Sequence, residues 1–195
     1  MTDLPLSREE ALKLLKSYPQ TPQDMNHYLE SEAVMRELAS EMGEDVEYWG
    51  MLGLLHDVDW AITKEDPSEH LSKAPEILES QGFDKKFIDT VVSHGYGAEV
   101  IPDLKGKERD KNIEKALAAS ESVTGLVHAY ALMRDKRVSD MEVKGLKKKF
   151  KDVSFAAGCN RQNIKEIEDL GLDLNDFFAL AITAFGRIRE DIGLR

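Results

Sequence analysis

The 195-residue chain reads as an all-α protein, and three observations carry that reading. Apolar residues recur at helical spacing through nearly its whole length. Helix start and stop residues punctuate it at intervals a helix can fill. Alternating strand patterns are scarce, with residues 98–101 the one weak candidate.

The elements follow in order. Ser7 and Glu10 form a capping-box signature, and Leu12, Leu14 and Leu15 supply the apolar side of a first helix ending near Tyr18. Thr21 caps a second helix with Pro22 at its first position, running through Met25, Leu29, Met35 and Leu38 to a stop at Gly43. A third begins near Asp45 and contains YWGMLGLLHDVDW at 48–60. Residues 46–55 are almost all apolar or glycine, so this helix must be buried on every side. Gly50 and Gly53 each cost about 1 kcal/mol against alanine there, which close approach by neighbouring elements would offset. A fourth helical stretch covers 68–80, kinked or split by Pro75, and stops at Gly82. A fifth spans about 84–93 and ends in His94-Gly95-Tyr96-Gly97. A polar connector with Pro102 and Gly106 leads to a long helix over about 111–134. Ser139 and Glu142 form another capping box, starting a helix through Phe150. Two more helices, near 160–170 and 174–192, close the chain.

Composition bounds the rest. With 42% apolar and 32% charged residues the chain fits one soluble globular domain with a sizeable core. No apolar run reaches membrane-spanning length, and MTDLPLSREE lacks the basic start and apolar middle of a signal peptide. Cys159 is the only cysteine, so no intrachain disulfide can form and a reducing, cytoplasmic setting is expected. The net charge of −11 repels nucleic-acid backbones and anionic membranes. It predicts neither a long nucleic acid nor a membrane as partner, and leaves room for a small phosphorylated ligand in a local positive pocket.

The chemistry centres on His56-Asp57, at the end of the greasy helix. A buried carboxylate needs a partner, and the negative end of a helix dipole sharpens that need. A bound cation would meet it; so would emergence of the pair at the surface. His27 lies mid-helix, facing the same side as Asp24, Ser31 and Val34. His70 opens the fourth helix and His94 ends the fifth, places from which side chains converge on a cleft. Glu121, Gly125 and His128 share one face of the long helix. Nitrogen and oxygen donors without thiolate suit a first-row divalent ion or magnesium, and ligands drawn from several helices match metal sites built inside helical bundles. None of the local spacings is by itself diagnostic. His128 reads as pocket lining or core, and Cys159 as a buried small residue.

The order H…HD…D resembles the HD-domain superfamily of metal-dependent phosphohydrolases, all-helical proteins. More closely, LLHDVDW (54–60), EHLSKAPEIL (69–78), SHGYG (93–97), TGLVHAYALMR (124–134) and MEVKGLKKKFKDVSFAAGCNR (141–161) resemble an uncharacterised bacterial and archaeal branch of predicted HD hydrolases. The resemblance implies one HD-type helical bundle over residues 1–195, with a metal-binding core at approximately 22–135 and C-terminal helices 139–192 packed on it. It implies His27, His56 and Asp57 as ligands of a primary metal, with Glu121 standing where the family has an aspartate. His70 and His94 are similar to the histidines that hold a second metal in dinuclear members, with Asp57 bridging. Where those often have a double histidine, this chain has His94-Gly95. With a single ion, His70 and His94 would instead contact the substrate phosphate or shuttle protons.

The implied activity is hydrolysis of a phosphate ester of a nucleotide or other small phosphorylated metabolite, with one or two ions of Mn, Fe, Ni, Co, Zn or Mg. Asp57, His70 and His94 would act in catalysis. A di-iron oxygenase and a non-catalytic nucleotide- or ligand-binding module are the alternatives. Residues 134–151 hold eight Lys/Arg against three acids, a local net of +5. Within that run Lys144 and Lys148 are candidate phosphate contacts.

Overall fold

Ser7, Thr21, Asp45 and Asp84 each turn a side-chain oxygen onto the backbone of the following turn, and these caps set where four helices begin. The computed structural model describes residues 4–195; residues 1–3, which open the stretch read above for a targeting signal, lie outside the described residues. The helices are α1 (Arg8–Lys16), α2 (Pro22–Met42), α3 (Val46–Leu55), α4 (Trp60–Thr63), α5 (Ala74–Ser80), α6 (Lys85–Ser93), α7 (Asn112–Leu132), α8 (Val143–Lys151), α9 (Arg161–Lys165) and α10 (Leu174–Ile188). Short 3-10 turns occupy Pro67–Glu69 and Glu166–Leu170. No strand occurs among the described residues.

Three local expectations are refined and one element is new. Residues 98–101 form turns, closed by bonds from Ala98 N–H to the Gly95 carbonyl and from Ile101 N–H to the Ala98 carbonyl. The stretch at 68–80 is two pieces, with Pro75 in the first turn of α5 and Leu71 at φ 67 between them. A short α4, not anticipated, follows the His-Asp pair. The capping box at Ser139 does not form: α8 starts after Glu142. Arg134 holds the Asp140 carboxylate and carbonyl, and Val138 N–H bonds to the carbonyl of Arg195, so residues 134–141 are tied down as turns instead.

Two long helices frame the molecule. α2 packs along α3, α10 and α7, and α7 carries α6, α8 and α9 on its other sides. Tyr28, Leu38, Leu52, Leu55, Phe177, Phe178 and Phe185 are fully buried between them, each contributing roughly 1.5–3 kcal/mol of apolar burial. The glycines of α3 set its distance from α2. A Cβ on Gly53 would lie 2.6 Å from the Ser31 carbonyl oxygen, and one on Gly50 would lie 2.7 Å from the Arg36 guanidinium. The Arg36 side chain could move aside, but a side chain at Gly53 would strike the α2 backbone and hold the helices too far apart to bring His27 and His56 together.

Candidate metal centre

Each functional side chain sits at a helix end or faces a helix contact. His56 is the C-cap of α3 and Asp57 follows it; His94 is the C-cap of α6; His70 ends the Pro67–Glu69 turn; His27 projects from α2. Asp57 is the common neighbour. Its Oδ1 lies 3.1 Å from His94 Nε2, 3.2 Å from His70 Nε2 and 3.5 Å from His56 Nε2, and its Oδ2 lies 3.6 Å from His27 Nε2. The five residues form two donor groups sharing Asp57, one with His27 and His56, the other with His70 and His94.

The outward nitrogens decide what the inward ones can do. His56 Nδ1 lies 2.8 Å from the Gly53 carbonyl, His94 Nδ1 2.7 Å from the Val91 carbonyl, and His70 Nδ1 3.1 Å from Asp59 Oδ1. Those oxygens only accept, so each Nδ1 carries the proton. His27 Nδ1 lies 3.0 Å from Thr124 Oγ1, whose hydroxyl already donates to the Glu121 carbonyl, so it too is the donor. In its neutral form each of the four rings therefore presents a bare Nε2 lone pair inward. Yet His27 and His56 bring these atoms within 3.0 Å of each other, and His70 and His94 within 3.4 Å. Opposed lone pairs at that distance repel unless a proton or cation lies between them. Four imidazoles and one carboxylate, with no thiolate, fit a borderline divalent ion, and their outward hydrogen bonds are the support that metal-binding histidines require.

Electrostatics agree. Burial drives His56 down to about 3, against the attraction of Asp57. Burial also opposes charge on His70, but Asp57 and Asp59 on either side overcome it and raise His70 to about 10. Burial would raise Asp57, yet the surrounding histidines hold it well below the usual carboxylate range. A carboxylate kept ionised in the interior and ringed by imidazole nitrogens is a group that a bound cation would match.

Glu121 lies beside this centre but in neither donor group. It lines the same cavity as His27, of about 250 Å³. Its carboxylate accepts from the Ser122 hydroxyl, which in turn accepts from Asn163 Nδ2 at 3.3 Å. Burial raises its pKa. Lys144 and Lys148 are exposed on α8, and neither lines that cavity. His128 stands apart from the donor groups and pairs with buried Glu30 at 2.6 Å. Cys159 is partly buried, with its sulfur 2.7 Å from where a Cβ on Gly125 would lie.

Three supporting residues escaped the sequence reading. Asp59, fully buried, orients His70 and accepts from the backbone N–H groups of Lys73 and Ala74. Thr124 orients His27. Arg109 donates to the carbonyls of Ser93, His94 and Tyr96 at the end of α6, while gripping Glu166 and Asn163. The acid two residues after the HD pair was a visible signal for Asp59; the other two depend on partners far away in sequence.

Fold and site together define a helical protein with a histidine–aspartate cluster that could hold a metal ion. The HD domain family matches residues 25–122, half of the chain, and the chain belongs to that family of metal-dependent phosphohydrolases. Similar curated proteins include ribonuclease Y 1 of Pediococcus pentosaceus, 28% identical over 60% of this chain and 23% of that protein. Ribonuclease Y of Thermosipho melanesiensis is 35% identical over 43% and 16%, and that of Mycoplasma mycoides subsp. mycoides 30% identical over 58% and 20%. The chain thus spans about a fifth of the length of these relatives. No solved structure matches it. No helix is long and apolar enough to cross a membrane among the described residues.

The relatives overturn one expectation. Net charge argued against a long nucleic acid as partner, but these proteins are ribonucleases, and RNA is a long nucleic acid. The charge of −11 is an average over the chain and does not describe its distribution. The +5 concentrated at 134–151 lets an acidic protein still present a positive face.

Proposed function

We propose that the chain is a metal-dependent phosphohydrolase that cleaves a phosphate ester in RNA or a nucleotide with an activated water. The observation that carries this reading is the position of Asp57, with four inward Nε2 atoms 3.1–3.6 Å from its carboxylate oxygens. His27, His56 and Asp57 would hold one ion and Asp57, His70 and His94 a second. A divalent ion supplies Lewis acidity toward a phosphoryl oxygen and brings the pKa of water from about 15.7 toward roughly 7.

The chain's own groups do the rest. Gly53, Val91, Asp59 and Thr124 hold the four rings in one tautomer, so no reorganisation is needed when substrate arrives. With only the first ion bound, His70 would instead keep its proton between Asp57 and Asp59, and its positive charge would balance charge developing on the phosphoryl oxygens. Glu121, in the cavity wall beside His27, is the proposed fourth ligand of the first ion, reached when its carboxylate leaves Ser122. Lys144 and Lys148 add positive charge that draws a polyanion toward the protein. The ribonuclease names of the relatives support RNA as the substrate class.

The test is reconstitution with Mn, Fe, Ni, Co, Zn or Mg in turn, followed by assays on bis(p-nitrophenyl) phosphate, p-nitrophenyl phosphate and a short single-stranded RNA. Turnover with at least one metal, abolished by Asp57→Ala, is expected. No turnover of any ester by the metal-loaded protein would remove the hydrolase reading.

A further inference from the structure

We propose that the cleft leading away from His27 seats a nucleotide unit of single-stranded RNA, with Tyr96 as the platform on which its base stacks. This deepens the phosphohydrolase reading and rests on it for the position of the scissile phosphate. The centre is most open at His27, whose side chain is 31% exposed, against 13% for Asp57, 12% for His70, 8% for His94 and 0% for His56. Substrate therefore meets the centre through the cavity that His27 lines.

That cavity does not end there. Asn160 and Asn163 belong both to its wall and to that of a second cleft of about 520 Å³, large enough for a nucleotide. The second cleft is bounded by Tyr96, Gly97, Lys107 and Gln162 as well. Its chemistry suits a nucleotide. Tyr96 is half-buried, and Lys107 places its ammonium 5.5 Å from the ring centroid. Lys107 makes no ion pair among the described residues, so its charge is available to a phosphate. Gly97 and Lys107 both donate a backbone N–H to the Leu104 carbonyl, which fixes the ring and the ammonium on one loop pair. Asn160 accepts from the backbone of Gln162 and Asn163, so its Oδ1 is occupied and its amide N–H groups remain for a base edge. Of the three acids in its wall, Arg109 holds Glu166 at 2.6 Å and Lys115 holds Asp169 at 2.7 Å, which leaves exposed Glu108, next to Lys107 in the chain, as the one without an ion pair among the described residues. An aromatic face, an unpaired cation and free amides along a path from a metal centre match how single strands are held.

The experiment measures fluorescence anisotropy of labelled, cleavage-resistant phosphorothioate hexauridylate on the metal-reconstituted protein. Wild type should bind, Tyr96→Ala and Lys107→Glu should each weaken binding about tenfold or more, and Tyr96→Phe should bind as wild type. Metal content equal to wild type in each variant shows that the fold and the centre are intact. Lys107 is exposed, so Lys107→Glu carries the test if Tyr96→Ala does not fold. Dissociation constants within twofold of wild type for both variants, or no binding by wild type, would overturn the proposal. Failure of the hydrolase reading looks different: wild type would bind the hexamer, the variants would not, and cleavable RNA would stay intact.

Discussion

His27 and His56, contributed by two different helices, hold their Nε2 atoms 3.0 Å apart. That contact depends on Gly53, whose missing side chain lets α3 lie against the Ser31 carbonyl of α2, and whose own carbonyl holds His56 Nδ1.

Gly53→Ala should therefore loosen the centre as well as the core. Helix propensity favours alanine by about 1 kcal/mol, but a Cβ 2.6 Å from backbone oxygen forces the helices apart, and overpacking costs roughly 1–3 kcal/mol or more. We expect a net loss of about 2 kcal/mol, a melting temperature lower by roughly 4–8 °C, and weaker metal retention. Calorimetry with elemental analysis checks both; an unchanged melting temperature would show that the helices have room.

Asp59 tests whether His70 is positioned for a metal. Asp59→Asn keeps the size and removes the charge that holds His70 Nδ1–H. Metal affinity should fall about 10- to 100-fold, the usual effect of losing such support, with the helical circular dichroism unchanged. Titration of the metal-free protein with Mn, followed by competition with a chelator, gives the number.

Arg109 ties the end of α6 to α9 and the turn after it. Arg109→Ala would strand Glu166 and the carbonyls of Ser93, His94 and Tyr96, costing about 3 kcal/mol. The same change should weaken metal binding, because His94 is one of those residues. Urea unfolding and metal titration on one sample separate a purely structural clamp, which would leave affinity untouched.

Glu30 and His128 give a pH dependence of known sign. Burial raises Glu30, and the hydrogen bond to Glu30 with its charge raises His128. Both folded-state values lie above the unfolded ones, so the folded protein holds protons more tightly. The histidine's share of stability is complete below its ordinary value near 6.5 and is lost as pH rises through the raised one. His70, also raised, adds the same sign in metal-free protein. The difference in urea midpoint between wild type and His128→Gln isolates the pair, and it should shrink from pH 6 to pH 9. A difference constant across that range would deny the coupling.

How much of this could be read in advance follows from the range of each interaction. Caps such as Thr21 and the glycine stop at Gly43 act within four residues, so α2 was legible to within a residue. The apolar run at 46–55 could only be a buried helix. Ser139 misled because a capping signature says nothing of Arg134 and Arg195, which hold the neighbouring backbone. His27, His56, Asp57, His70 and His94 stood out by residue type and place, whereas the role of Thr124 depends on a helix 97 positions away. Glu121 was visible as an acid on a small-residue face, but its turn toward Ser122 and Asn163 was not.

The central claim is that Asp57 gathers four imidazoles around a divalent ion. Elemental analysis of protein purified without chelator or histidine tag and reconstituted with each divalent metal tests it most directly. The account predicts at least one equivalent bound in wild type and almost none in Asp57→Ala or His56→Ala. Metal-free wild type after reconstitution, or equal content in those variants, would contradict it.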